Sequence, residues 1–228
     1  MNVLGLETST AVCSVGLFRE GKPDIEHSLQ ESHIHSEKLL TLVQRVARDG
    51  EIDLDQIDAV AVSIGPGSFT GLRIGLSTAK GLAYALDKPV VAVSTFEAIA
   101  EAARADYPSA RTITVLIDAK KDDCYIGQYA VVGERVKETV PVHIKLFDDA
   151  RALVKTEDSS LVLTDRVPEV RRLLGETTQV IDVHASCRGA VVAAIGCRKA
   201  TANEFTDVAA LEPMYLKDFV IRTAASVS

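Results

Sequence analysis

Val115-Leu116-Ile117-Asp118-Ala119 echoes Leu4-Gly5-Leu6-Glu7-Thr8. Each is an apolar run of strand length that ends on an acid, and the two acids stand 118 − 7 = 111 residues apart. The letters match weakly; the case for a repeat comes from the order of elements after each run. After Glu7, residues 11–18 form a second apolar stretch, Arg19-Glu20-Gly21-Lys22 makes a polar turn, and residues 23–30 return as a third strand. Residues 33–48 place Ile34, Leu39, Leu40, Leu42, Val43 and Val46 at helical spacing, with Gly50 as the stop. Residues 58–64 (DAVAVSI) read as a strand buried on both faces. Residues 69–86 are a second helix and residues 89–94 a further buried strand. Ser94-Thr95-Phe96-Glu97 is a capping box that opens a third helix.

The second half repeats this grammar. Residues 112–118 are an apolar strand ending in Asp118, followed across a polar turn (Lys120 to Asp123) by a strand at 124–131 and another at 135–144. Residues 147–155 are expected to be helical, 161–164 a short buried strand, 167–174 helical, 179–183 a strand and 187–202 a helix. A duplicated βββαβα order is the pattern of the actin, Hsp70 and sugar-kinase architecture, an α/β fold of two lobes facing across a cleft. The expected division is a lobe at 1–105 and a lobe at 106–228, with the last helix and tail packing back on the first.

With 228 residues, the chain has room for two small lobes and little for insertions. Lys and Arg number 25 against 32 Asp and Glu, a net charge of −7, which argues against gripping nucleic acid unaided, because phosphate binding needs clustered cations. The absence of Trp and a 5% aromatic content leave no stacking platform for single strands. No apolar run approaches the roughly 20 residues of a membrane span, and the first residues lack a signal peptide's basic and apolar regions. Cys13, Cys124, Cys187 and Cys197 show neither C-x-x-C nor zinc spacing, so they read as reduced thiols of a cytoplasmic protein.

Residues 63–83, SIGPGSFTGLRIGLSTAKGLA, carry the most information. A glycine-rich loop between strand and helix is suited to phosphate. Yet the Walker spacing fails after both Gly65 and Gly67, and the dinucleotide spacing fails because Thr70 stands where glycine is needed. A stronger regularity is Gly67, Gly71, Gly75, Ala79 and Ala83, one small side chain every four residues. Such a ridge admits another backbone at close range. Each helical glycine costs roughly 1 kcal/mol relative to alanine, so close packing must offset it. The neighbour is the protein's own sheet, the helix at 33–48, or another chain. Leu72, Ile74, Leu76, Leu82 and Leu86 surround the same helix, which implies burial on more than one side.

In these segments the chain resembles the TsaB (YeaZ) family, partner subunits in bacterial tRNA threonylcarbamoyladenosine synthesis. The resemblance rests on LETST at 6–10, His35-Ser36, above all SIGPGSFTGLRIG at 63–75, then STFE at 94–97, IDAKKDDCY at 117–125 and PMYLK at 213–217. The family usually carries Asp where Glu7 stands. The resemblance implies an actin-like fold and a non-catalytic scaffold or activator. It would work beside a TsaD-like catalytic subunit and a TsaE-like ATPase, as a homodimer in isolation, and touch tRNA only indirectly. The threonylcarbamoyl group is then formed by the complex on N6 of the adenosine next to the anticodon. Combined with the ridge, it implies an interface of His35, Leu39, Leu42, Val46, Gly67, Gly71, Leu72, Gly75, Ala79 and Ala83.

The alternative is an actin- or kinase-like enzyme with its own ATPase or phosphotransfer activity. Glu7, Thr8 and Ser9 are its candidate nucleotide contacts, with Asp118 in the corresponding place of the second repeat. Capping of the turn by the same hydroxyls is the competing structural reading. No cofactor or metal is expected on this chain, ATP and magnesium being used by the complex. The catalytic relatives' H-x-x-x-H pair is absent, since His33 and His35 point about 200° apart on a helix. No nucleophile elbow of G-x-S-x-G spacing exists.

Overall fold

Two five-stranded sheets carry the chain, and the strand order of the first recurs in the second. The structure, a computed structural model, describes residues 1–31, 34–154, 159–175 and 178–216. The first sheet contains β1 (Asn2–Glu7), β2 (Val12–Arg19), β3 (Ile25–Gln30), β4 (Ala59–Ser63) and β5 (Val90–Val93), in the order β3-β2-β1-β4-β5. The second contains β6 (Thr112–Lys120), β7 (Asp123–Val132), β8 (Arg135–Leu146), β9 (Ser160–Thr164) and β10 (Gln179–Asp182), in the order β8-β7-β6-β9-β10. In each, an antiparallel meander is continued by parallel strands: Leu6 sits opposite Val15 on one side and Val62 on the other. Leu116 sits opposite Ile126 and Thr164 in the same way. This is the duplicated actin-like α/β fold.

Helices α1 (His35–Asp49) and α2 (Phe69–Leu86) cover the outer face of the first sheet. Helix α1 is amphipathic. Leu39, Leu42, Val43 and Val46 meet the sheet while Glu37, Lys38, Gln44 and Arg45 stay exposed. Helix α4 (Val167–Leu174) covers the outer face of the second sheet through Val170 and Leu174. Between the sheets lie α3 (Thr95–Asp106) and α5 (Gly189–Thr201), each packed against the other repeat. Phe96, Ile99 and Ala103 of α3 join Ile113 and Tyr129 of the second sheet. Val192 and Ala193 of α5 join Val3, Ala61 and Val91 of the first.

Helix α5 approaches the first sheet at backbone distance. A Cβ on Gly5 would strike the Gly189 carbonyl and Ala193, and one on Gly16 would strike Ala190. The same approach lets Gly189 N donate to Ser14 Oγ at 2.9 Å. Buried Glu101 joins the middle layer: it accepts from Arg104 at 3.0 Å, Arg198 at 3.4 Å and Val136 N at 3.3 Å. The capping box is half present. Ser94 Oγ accepts from Glu97 N at 3.4 Å, but the Glu97 carboxylate turns to Arg198 and Lys199, both at 3.3 Å. Two cations offer it more than one backbone N–H does.

The segment expected to be helical at 147–155 is a 3-10 turn at Phe147–Ala152, and residue 155 lies outside the described residues. Its buried residues, Phe147 and Ala150, are three apart, the period of that tighter helix. The chain after α5 runs along the free edge of β5. Thr206 N donates to the Val90 carbonyl at 2.8 Å, and Thr206 Oγ1 accepts from Ala92 N at 3.1 Å. Leu211 then enters the first core, and Met214 N donates to the Ile64 carbonyl at 2.7 Å.

The glycine contact under α5 is expected to be unforgiving. Gly16→Ala places a methyl inside backbone atoms that cannot swing away, and should lower the stability measured by urea unfolding by about 1–3 kcal/mol. The same change at Gly21, whose Cβ would meet nothing, tests left-handed backbone strain alone.

Candidate functional site

Glu7 closes β1 and is fully buried, with Thr8 and Ser9 behind it. Its Oε1 accepts from Ser9 N at 2.6 Å and from Ser9 Oγ at 2.5 Å. Its Oε2 and the nearby buried Ser63 Oγ make no hydrogen bond among the described residues. Burial drives the Glu7 carboxyl above its ordinary range, against the lowering pull of the Ser9 hydroxyl and the Ser9 N–H. The turn is then sealed by the start of α2. Thr8 Oγ1 donates to the Gly71 carbonyl at 2.8 Å, and Ser68 N donates to the Ser9 carbonyl at 2.6 Å.

The glycine ridge makes this seal possible. A Cβ on Gly67 would strike the Ser9 carbonyl, one on Gly71 the Thr8 carbonyl, and one on Gly75 the Thr8 hydroxyl. Two donors of the α2 N-terminus are also spent: Gly71 N on Ser68 Oγ at 3.3 Å and Leu72 N on the Ser68 carbonyl at 2.9 Å. Glu7, Thr8 and Ser9, the candidate nucleotide contacts, are therefore buried beneath the start of α2. The capping reading of these hydroxyls is the one the geometry follows.

The structure also places the ten residues expected at a partner interface. His35, Leu39, Leu42, Val46, Gly71, Leu72, Gly75, Ala79 and Ala83 are buried within the single chain, and Gly67 is half-buried against Ser9. The apolar stripe of an amphipathic helix faces its own core first. His35 faces Val12, with Nε2 3.2 Å from its carbonyl, and ties the start of α1 to β2. His33, considered as a metal ligand, lies outside the described residues.

The outward side of α2 is a second stripe. Phe69, Arg73, Ser77, Gly81, Tyr84 and Ala85 are exposed, Tyr84 to 91%. Ser77, Gly81 and Ala85 repeat the four-residue spacing of the inner ridge. A Cβ on Gly81 would meet nothing within 4 Å. On α1, Leu40 is 56% exposed. The sequence held the signal for this stripe, the same i, i+4 run of small residues, but not which of two such runs faces in.

The turn of the second repeat is built differently. Lys120, Lys121 and Asp122 are all left-handed, with φ of 66°, 59° and 65°, and are exposed. Asp118 N donates to both oxygens of Asp165, at 3.0 and 3.3 Å. Burial opposes ionisation of Asp118, but Lys120 at 2.9 Å, the Lys120 N–H and Arg166 outweigh it and hold the carboxyl low. A cleft of about 350 Å³ opens between β3 and the stretch after β10, lined by Glu26, Ser28, Asp182, His184 and Arg188 among others. Its charged groups have partners: Glu26 with Ser14 at 2.8 Å, Asp182 with His184 at 2.6 Å, Arg188 with Asp106 at 2.6 Å.

Among the described residues no group of three His, Cys, Asp or Glu is placed to hold a metal. No helix among them is long and apolar enough to cross a membrane. Burial pushes the Cys13 and Cys124 thiols up to about 11 and Cys187 well above its usual value, so none of the three supplies a thiolate near neutral pH.

Glu7 sets a pH dependence of stability. An acid whose folded pKa is raised favours folding fully below its unfolded value near 4.5, and loses that contribution as pH rises through the folded value. Glu7→Gln keeps the acceptor for Ser9 and gives Ser63 a donor. It should melt higher than the parent at pH 7 to 8, with the gain shrinking toward pH 4; a pH-independent difference would contradict this.

The comparisons with known proteins accord with this geometry. A family model described as TsaD, tRNA N6-adenosine threonylcarbamoyltransferase, matches residues 29–222. The tRNA threonylcarbamoyladenosine biosynthesis protein TsaB of Haemophilus influenzae is 36% identical over 60% of this chain and 56% of its own length. The chain thus spans little more than half of that relative. The TsaB protein of Buchnera aphidicola from Schizaphis graminum is 30% identical over 67% of this chain and 74% of its own length. The solved structure of YeaZ from Pseudomonas aeruginosa superposes with a TM-score of 0.81 at 26% identity, covering 94% of this chain and 100% of that one. The family model over most of the chain, together with the TsaB and YeaZ matches, places the chain in the TsaD family, on its TsaB (YeaZ) branch.

Proposed function

We propose that this chain is a non-catalytic scaffold or activator subunit of a cytoplasmic tRNA-modifying complex. It docks on a TsaD-like catalytic subunit, alongside a TsaE-like ATPase, and supports transfer of the threonylcarbamoyl group to N6 of the adenosine next to the anticodon. The relatives' names supply the reaction. The observation that carries the docking role is the outer stripe of α2, where Ser77, Gly81 and Ala85 leave room for another backbone and Tyr84 stands almost fully exposed. A helix gains nothing for its own fold from a glycine with open space beside it; a partner helix does.

The net charge of −7 supports assigning the tRNA-binding surface to a partner. ATP and magnesium belong to the complex in this reading. An enzyme with its own nucleotide turnover is disfavoured because Glu7, Thr8 and Ser9 lie inside the fold. When the catalytic subunit is absent, a second copy of this chain takes the same face.

Reconstitution tests the role. Threonylcarbamoylated tRNA, measured with the catalytic subunit and ATPase present, should rise strongly when this chain is added. Gly81→Leu separates docking from folding. The variant should melt at or above the parent, since a mid-helix glycine costs roughly 1 kcal/mol, while its affinity for the catalytic subunit drops. Unchanged affinity would remove the outer stripe from the interface. Gly71→Leu, by contrast, should fail to fold normally, because Thr8 occupies the space.

A further inference from the structure

Phe69, Arg73 and Tyr215 form one cluster at the N-terminal end of α2. The Arg73 guanidinium stacks over the Phe69 ring, with Cζ 3.9 Å from its centroid. Its Nε donates to the Tyr215 hydroxyl at 3.0 Å. The two rings lie 5.4 Å apart, tilted by 36°. Tyr215 arrives from the segment after α5, which is fastened one residue earlier by the Met214 hydrogen bond to Ile64. Two distant parts of the chain thus hold one exposed arginine in a single pose. Phe69 and Tyr215 are 37% and 42% exposed, so the cluster stands at the surface.

One face and one edge of the guanidinium are committed. Among the described residues no acceptor meets its Nη1 or Nη2 groups, the pair that binds a carboxylate through two parallel hydrogen bonds. A free surface arginine forfeits rotamer entropy when a partner fixes it; Arg73 is fixed beforehand.

The surrounding charge points the same way. Helix α2 contains no Asp or Glu. Helices α1 and α2 together carry five Lys and Arg against two Asp and Glu, a net of +3 in a chain of net −7. The two helices that carry the docking face are thus net positive in an acidic chain.

We propose that Phe69, Arg73 and Tyr215 are the anchor of this face, and that Arg73 takes an Asp or Glu carboxylate of the catalytic subunit on its two Nη groups. The proposal rests on the docking role of α2. It favours a protein carboxylate over a nucleic-acid phosphate because the stripe beyond Arg73 is small and uncharged at Ser77, Gly81 and Ala85. A phosphate backbone would need further cations there, and half-buried Lys80 is the only basic residue between Arg73 and Tyr84. Tyr215 is a positioning residue that acts through Arg73.

Calorimetric titration of the intact chain with the TsaD-like subunit of the same organism tests this. Arg73→Ala should weaken binding at least about tenfold, as truncation of a buried interface arginine does, and flatten the fall of affinity with salt. Arg73→Lys keeps the charge without the planar fork and should recover little; full recovery would overturn the bidentate contact. Tyr215→Phe should show a smaller loss at an unchanged melting temperature. Parental affinity for Arg73→Ala alongside impaired Gly81→Leu would overturn the anchor and leave docking standing. Parental affinity for both would overturn both. Protein affinity unchanged by Arg73→Ala, with loss of tRNA retention by the assembled complex, would assign the anion to phosphate and overturn the proposal.

Discussion

Thr8 and Gly71 meet almost backbone to backbone, and the first repeat is arranged around that contact. It requires glycine on the helix, a hydroxyl on the turn to satisfy the Gly71 carbonyl, and a loop that brings Ser68 N to the Ser9 carbonyl. Once these are in place, the first turn is closed. Glu7 is left with one oxygen on Ser9 and one without a hydrogen bond, in a setting that favours its neutral form. The close approach of α2 makes this position a piece of core. The cost of the helix glycines is offset by this fit, in line with the close packing that the ridge demanded.

The fold was legible because its signals are local and repeated. Apolar runs ending on Glu7 and Asp118, turns between short strands and helical stripes at their expected spacing are all set by side-chain periodicity. Misses arose where a distant partner decided local geometry. Glu97 has the spacing of a capping box, yet Arg198 and Lys199, about a hundred residues away, draw its carboxylate off. Residues 147–152 have a helix-like composition, but Phe147 and Ala150 are buried three apart and wind the tighter turn.

The candidate site was only half legible. The α2 sequence carries two runs of small residues at the same period, one through Gly71 and Gly75 and one through Ser77, Gly81 and Ala85. Period alone cannot say which faces the sheet. Spacing and resemblance point the first run at a partner, together with Leu39, Leu42 and Val46 of α1; in the single chain these side chains are buried against the first turn and the sheet. Likewise, nothing in the spacing of Phe69 and Arg73 announces Tyr215, 142 residues from Arg73. Such a cluster exists only once the segment after α5 has crossed the first sheet.

That crossing also governs what the sheet can do with its rims. A strand at the edge of a sheet is an open template for strands of other molecules. Along β5 the template is already occupied, since Thr206 satisfies the Val90 carbonyl and the Ala92 N–H. The segment that steadies the aromatic cluster therefore shields this rim against runaway strand addition. The first sheet is left with β3 as its open border among the described residues, so any strand added to this sheet is confined to that one side.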